Sequence, residues 1–300
     1  MRIRGLSETK ERTILSLACI VLVAIWVWGL IPRPPVLVVT FLSVGEGDAI
    51  VIQTPSGRTA LVDSGPGPTP RSDFDAGDKV VTPFLRREGV NTLDALIFTH
   101  QHDDHIGGAS SVIRNFGVKT IFDSSIDRPI GRYREVLQEL EEKGVRHRRL
   151  RFGQTVDFHD GVTIEVLNPT NQAAEPTNDS EINDASLVLR VKYGSTALLL
   201  EGDAGKDAEA GMLSRCPRLS AQVLKVAHHG SADSSTTEWL AAVRPQIAIV
   251  SAGWKNQFGH PSPATVARLR DAGAQIYRTD EQGGIIVTTD GRKITVATSR

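Results

Sequence analysis

Residues 99–108 read Thr99-His100-Gln101-His102-Asp103-Asp104-His105-Ile106-Gly107-Gly108, which places three histidines and two aspartates within six consecutive positions. The apolar run LDALIF at 93–98 precedes this stretch, and IGGASSVIRNF at 106–116 overlaps its end. The first run predicts a buried strand and the second a helix. The cluster therefore occupies a strand-to-helix corner, where functional groups are held by a rigid scaffold. His100 and His102, two apart in extended chain, project to the same side. Asp104 and His105 belong to the turn entering the helix. A pair of nitrogens and a nitrogen–oxygen pair suit two neighbouring divalent ions, because imidazole and carboxylate are the ligands of borderline-hard metals.

A two-metal site needs partners from other corners. ALLLEGDAG at 197–205 and VLKVAHHGS at 223–231 each run off an apolar strand into candidate ligands. Asp203 has two carboxylate oxygens and can bridge two ions. His228 is the expected ligand completing the second ion's set, with His229 left to contact substrate. Asp63 ends the run TALV at 59–62, where by itself it reads as a turn residue. GDAGK at 202–206 lacks the spacing of a phosphate loop.

The chain has 300 residues and a formal net charge of -1, so no global basic field recruits nucleic acid. The basic run 146–151 follows an acidic helical stretch and reads as a solvated face. Two cysteines, Cys19 and Cys216, exclude a disulfide framework and a cysteine-rich zinc site. Residues 14–31 are uncharged and apolar, long enough at about 1.5 Å per residue to cross a ~30 Å hydrocarbon core. Arg2, Arg4, Lys10 and Arg12 precede that run, which predicts a cytoplasmic N-terminus and an outward-facing domain. Trp26 and Trp28 then fall at the outer interface. No small-x-small site follows the run, so an uncleaved single-pass anchor is expected in the cell membrane. Cys19 reads as a membrane-buried thiol, and Pro32, Pro34 and Pro35 as a short stiff linker. Residues 1–35 thus form the cytoplasmic N-terminus, anchor and linker, and residues 36–300 one globular domain.

Within that domain, strands are predicted at 36–42, 49–54, 59–63, 93–98, 119–123, 162–167, 186–191, 196–202, 222–227, 246–251, 274–279 and 284–289. Helices are predicted at 78–87, 106–116, 133–143, 207–213, 236–242 and 263–271. In the third, Tyr133, Val136, Leu137 and Leu140 form an apolar stripe. Strands come first in hairpin-like succession and later alternate with helices. A layered α/β domain follows, with mixed sheets and helices on their outer faces. The polar segment 168–183 reads as an exposed loop, and His159 as a hairpin residue.

LVDSG, THQHDDH, EGDAG and AHHGS occur in the order found in the metallo-β-lactamase superfamily, which the chain resembles. VTFLSVGEGDAIVIQTPSG, VVTPFLRREGVNTLDALIFTHQHDDHIGG, NDASLVLRV, LKVAHHGSADSS and SAGWKNQFGHPSP resemble the metallo-hydrolase domain of the ComEC/Rec2 competence proteins more closely. The likeness covers nearly all of residues 36–300. It implies a four-layered αβ/βα sandwich with a binuclear site at the sheet edges. Two departures stand out. The superfamily usually carries a third histidine before the GD strand, where this chain has Asn183 and Asp184 as candidate ligands; with more oxygen donors, Mn²⁺ suits the first site as well as Zn²⁺. A single apolar run also leaves no place for the multi-span channel of the competence proteins.

The resemblance implies a metal-dependent phosphodiesterase or nuclease acting on DNA or another envelope-side phosphodiester, beside a DNA-uptake channel. Asp104, Asp203 and Asp63 would hold or orient metal and water, with Asp63 a support more than a ligand. His260 in FGHP is the expected general acid, and Asn256, His229, Ser231 and Lys225 the expected phosphate contacts. Alternative substrates are a choline phosphate ester, a lactam or a thioester. A non-catalytic module of an uptake assembly is a third reading, favoured by the missing histidine and opposed by the presence of Asp104 and Asp203.

Overall fold

The computed structural model describes residues 13, 14, 16, 35–124, 131–170 and 176–300. The chain divides into Met1–Pro35 and Val36–Arg300. Of the apolar run 14–31, only Ile14 and Ser16 are described, so the expected anchor lies outside the described residues. Among the described residues no helix is long and apolar enough to cross a membrane.

Two sheets build Val36–Arg300. The first contains β1 (Leu37–Phe41), β2 (Ile50–Gln53), β3 (Thr59–Val62), β5 (Ala95–Ile97), β7 (Thr120–Ser124), β8 (Arg146–Leu150), β16 (Ile285–Thr289) and β17 (Ile294–Thr298), with β4 (Thr92–Leu93) and β6 (Gly117–Val118) as a small separate pair. Its order is β17-β16-β1-β2-β3-β5-β7-β8. The second sheet runs in the order β15-β14-β13-β12-β11-β10-β9. Its strands are β9 (Thr155–Asp157), β10 (Val162–Asn168), β11 (Val188–Tyr193), β12 (Thr196–Leu200), β13 (Val223–Lys225), β14 (Ile247–Val250) and β15 (Gln275–Arg278). Each sheet is antiparallel along one side and parallel along the other, through β3-β5-β7-β8 in the first and β12-β13-β14-β15 in the second.

Alternation along the strands makes four layers. In β3, Ala60 and Val62 face the core between the sheets, whereas Leu61 joins the core under the first sheet's helices. In β12, Leu198 and Leu200 face between the sheets, and Ala197 and Leu199 meet Met212, Trp239 and Leu240 of the second helical layer. Strands buried on both faces need apolar residues at successive positions, and for that reason these runs are continuous. Tyr133, Val136 and Leu140 of the helix Gly131–Glu142 are buried against the first sheet as the stripe predicts.

Several elements differ from expectation. The basic run 146–151 forms β8, an edge strand exposed at all positions but Leu150. Part of the expected loop 168–183 is a helix, Asp179–Asp184, whose cap residue Asn178 accepts a hydrogen bond from Glu181 N at 3.0 Å. The edge strands β9 and β17, neither with a fully buried residue, also escaped the pattern. His159 sits in the β9–β10 turn with φ +54°, as a hairpin residue should.

Candidate metal centre

The parallel strands place the polar groups. Asp63 follows β3, Thr99 and His100 follow β5, Asp203 follows β12, and His228 and His229 follow β13. All lie past the carboxyl ends of their strands, where open α/β sheets gather ligand-binding groups. Asp104, His105, Asp203 and His229 each offer a ligand atom, and these atoms lie within 4.8 Å of one another. His105 Nε2 is 3.2 Å from Asp203 Oδ1 and 3.8 Å from Asp104 Oδ2. His229 Nε2 is 3.3 Å from Asp104 Oδ2 and 3.7 Å from Asp203 Oδ2.

Each imidazole of this cluster is aimed by its other nitrogen. His105 Nδ1 donates to Asp63 Oδ2 at 2.8 Å, and Asp63 also accepts from Thr99 N at 2.8 Å and Thr99 Oγ1 at 2.7 Å. His229 Nδ1 donates to the Ser251 carbonyl at 3.0 Å. Fixing Nδ1–H this way leaves Nε2 directed at the carboxylates, the usual device for orienting a metal-binding histidine. Burial disfavours the charged form of His105, but Asp203, Asp104 and Asp63 outweigh it and hold its pKa well above the ordinary value. Burial likewise opposes ionisation of Asp203, and His105 and His229 overcome it, holding the carboxyl well below its usual range. Two positive groups pressed onto two negative ones are the protonated counterpart of a cation on the same ligands.

His100 and His102 lie beside this set. His100 Nε2 is 3.1 Å from His102 Nδ1 and 3.9 Å from Asp203 Oδ2. Burial, reinforced by the charge of His105, pushes the His100 pKa well down, toward the neutral imidazole a metal requires. Beyond the His105–Asp203 contact, His102 Nε2 and Asn183 Oδ1 are buried without a hydrogen-bond partner among the described residues. Unpartnered buried polar atoms are costly and call for a ligand. The donor set of imidazole and carboxylate fits divalent metal.

The histidine pair at the end of β13 is placed differently from expectation. His229, expected to meet substrate, enters the four-residue cluster, whereas His228, the expected ligand, stands beside it. His228 Nε2 is 3.8 Å from Asp203 Oδ2 and its side chain is 33% exposed. The physical reason is backbone. Both residues adopt left-handed conformations, φ 48° and 54°, so the chain turns sharply and the second ring points back to the centre. Bonds from His228 N to Gly202 O at 3.0 Å and from Ser231 N to His228 O at 2.8 Å hold the turn.

Lys225 and Asn256 need a similar correction. Lys225 is fully buried, and its ammonium pairs with Asp48, so it faces the interior and not a substrate. Asn256 donates to the carbonyls of Gly253 and His260 at 3.0 and 2.6 Å and accepts from Phe258 N and His260 N at 3.1 and 2.9 Å. Two donors and two acceptors are the whole capacity of an amide side chain, so Asn256 shapes its own loop. Ser231 is half buried near the turn, its Oγ accepting a long bond from Asp233 N at 3.4 Å.

Asn183 and Asp184 end the helix Asp179–Asp184. Asn183, 9% exposed, lines a cavity of about 370 Å³ together with Asp203, His228 and Lys206. Asp184 lines the same cavity, and its Oδ1 accepts from Gly205 N at 2.9 Å, at the start of the helix Lys206–Arg215. Of the two, Asn183 keeps a buried unpartnered oxygen among the described residues, whereas Asp184 also supports the start of that helix.

Two acids in SVGEGDAI were given no role by the sequence. Asp48 pairs with Lys225 and lies 3.8 Å from His105 Nδ1. Glu46 Oε1 accepts from His260 Nδ1 at 2.7 Å, and Glu46 Oε2 from Gly253 N at 2.8 Å. The ring of His260 lies 5.7 Å from that of His228 and 6.3 Å from that of His229 between centroids. The sequence signal was two acids alternating with glycines, Gly45-Glu46-Gly47-Asp48, between β1 and β2.

A family model, the metallo-beta-lactamase superfamily, matches residues 42–254. The ComE operon protein 3 of Bacillus subtilis is 33% identical over 82% of this chain and 32% of its own length. The competence protein ComA of Neisseria gonorrhoeae is 32% identical over 82% of this chain and 31% of its length. The chain thus spans about a third of the length of these relatives. Among solved structures, CmlA, a diiron β-hydroxylase from Streptomyces venezuelae, matches with TM-score 0.52 and 15% identity over 82% of this chain and 53% of its own, a likeness of fold.

Proposed function

The chain belongs to the metallo-β-lactamase superfamily, and from that premise we propose that it is a metal-dependent hydrolase of phosphodiesters, a nuclease or phosphodiesterase held at the outer face of the cell membrane. The observation that carries the reading is the convergence of Asp104, His105, Asp203 and His229 within 4.8 Å. These residues would hold one divalent ion. His100, His102 and Asn183 would hold a second, sharing Asp203. Zn²⁺ and Mn²⁺ both suit such nitrogen–oxygen sets. When bound, paired divalent ions lower the pKa of bound water and stabilise charge on the attacked centre.

The remaining roles belong to protein groups. Asp63 keeps His105 in the tautomer that presents Nε2. His260, pinned at Nδ1 by Glu46, is the candidate to protonate a leaving oxygen through Nε2. Ser231 and His228 stand at the rim, in reach of non-reacting phosphate oxygens. The competence relatives support DNA as the substrate and an uptake channel as the partner. The apolar run 14–31 with its preceding basic residues supports membrane anchoring.

The test uses the full chain, stripped with chelator and reloaded with Zn²⁺ or Mn²⁺. It is offered single- and double-stranded DNA, a generic phosphodiester and a lactam, beside Asp104→Ala. Metal-dependent phosphodiester cleavage that is lost in Asp104→Ala is expected. Cleavage without metal, or full activity in that variant, sinks the reading. Protease added to intact cells should remove the domain, and protection there would overturn the orientation.

A further inference from the structure

Trp254 and Phe258 are 69% and 61% exposed, the most exposed large apolar side chains among the described residues of Val36–Arg300. They lie four positions apart on one loop. A floppy loop would explain such exposure, but this loop is braced. Asn256 ties Gly253, Phe258 and His260 together with four hydrogen bonds, and Glu46 holds Gly253 N and the His260 ring. The Phe258 ring stacks on that of His260, with centroids 5.7 Å apart and planes 19° apart. Since the same His260 ring neighbours His228 and His229, the aromatic surface adjoins the metal centre. Lys255, between the two aromatics, places its ammonium 5.7 Å from the Trp254 ring centroid.

Two exposed aromatic rings with a cation between them, held rigid beside a site for phosphodiesters, match one ligand chemistry. Bases of an unpaired nucleic acid strand stack on aromatic faces without regard to sequence, while a nearby cation meets the phosphates. A duplex hides those base faces. With a net charge of -1 the chain carries no global basic field, so stacking would add affinity that long-range phosphate attraction does not. We propose that Trp254 and Phe258 form a base-stacking platform that, with Lys255, selects a single-stranded nucleic acid as the substrate. The proposal rests on the phosphodiesterase reading above.

The test separates the two. Full chain stripped of metal is titrated with a labelled oligothymidylate, the corresponding duplex and an abasic strand of equal length, and anisotropy gives each Kd. Trp254 emission, isolated as the difference between parent and Trp254→Phe, should be quenched by the oligothymidylate alone. Trp254→Ala should raise Kd for the base-bearing strand about tenfold or more, and Phe258→Leu should act in the same direction. Kd for the abasic strand should stay the same in every variant. Equal binding of abasic and base-bearing strands by the parent overturns the platform, as does an unchanged Kd in Trp254→Ala. Anionic phospholipid vesicles that quench Trp254 where strands do not would reassign the loop to the membrane and also overturn it. Base-dependent binding without turnover after metal reloading would leave the platform standing and remove the hydrolase. Turnover of abasic and base-bearing strands at equal KM would do the reverse.

Discussion

His105 Nδ1 and Asp63 Oδ2 lie 2.8 Å apart, both fully buried, across 42 positions of sequence. The contact joins the end of β3 to the corner after β5, and it decides which nitrogen of His105 faces the centre. Asp63→Asn keeps the shape and the bond from Thr99 N but can present an N–H to His105 Nδ1. The ring then carries its proton on Nε2, the wrong tautomer for a metal. Metal affinity should fall about 10- to 100-fold with the fold retained, as for other outer partners of ligating histidines. Competition against a chromophoric chelator reads it, and an unchanged affinity would remove Asp63 from the site.

His228 and His229 give a paired comparison. His229 Nε2 sits between Asp104 and Asp203, whereas His228 is a third exposed and outside the cluster. His229→Ala should lower the bound metal per chain after dialysis, and His228→Ala should leave it near the parent value while weakening substrate binding. Metal analysis of both variants checks this. The opposite ranking would restore His228 as the ligand.

How far the sequence was readable follows from where each element gets its energy. β3 and β12 are buried on both faces, so their apolar runs declared them. β8 is an edge strand of arginines held by parallel pairing with β7, and no burial marks it. The helix Asp179–Asp184 is short and polar, with only its Asn178 cap and Glu181 to signal it. At the site, residues 100–105 were conspicuous because three imidazoles and two carboxylates crowd one local corner. Glu46 and Asp48 reach the centre only through tertiary approach, which no local spacing encodes. The ordering of His228 and His229 depended on two left-handed residues, and neither is a glycine that would have announced the turn.

The charge pattern of the metal-free protein gives a pH signature. Asp203 is held well below 3.8, so its contribution is present above about that pH and is lost as pH falls through the folded value. His105 is held well above 6.5, so its contribution is full below pH 6.5 and is lost as pH rises through the folded value. Both are therefore complete between 3.8 and 6.5. Metal binding requires the same imidazoles without their protons. Raising pH above 6.5 should thus lower Tm in chelator while the increment given by Zn²⁺ grows. Thermal melts across that range test it; a chelated protein that gains stability with pH, or a constant increment, contradicts the pairing.

Lys225 and Asp48 form a fully buried ion pair beneath the cluster. Burial alone would lower the lysine's pKa, but Asp48 and then Asp203 raise it, so the ammonium is charged and compensates the acids around it. Removing one member of such a pair strands the other charge in a low-dielectric interior, which costs about 3–5 kcal/mol, whereas replacing both is far milder. Lys225→Met should therefore destabilise the protein by about that amount. Lys225→Met with Asp48→Asn should recover most of the loss, since the neutral amide can remain buried. Urea unfolding of the parent, the single variant and the double variant measures the difference. If the double variant is less stable than Lys225→Met, the lysine acts through its packing and not by offsetting the buried Asp48 charge.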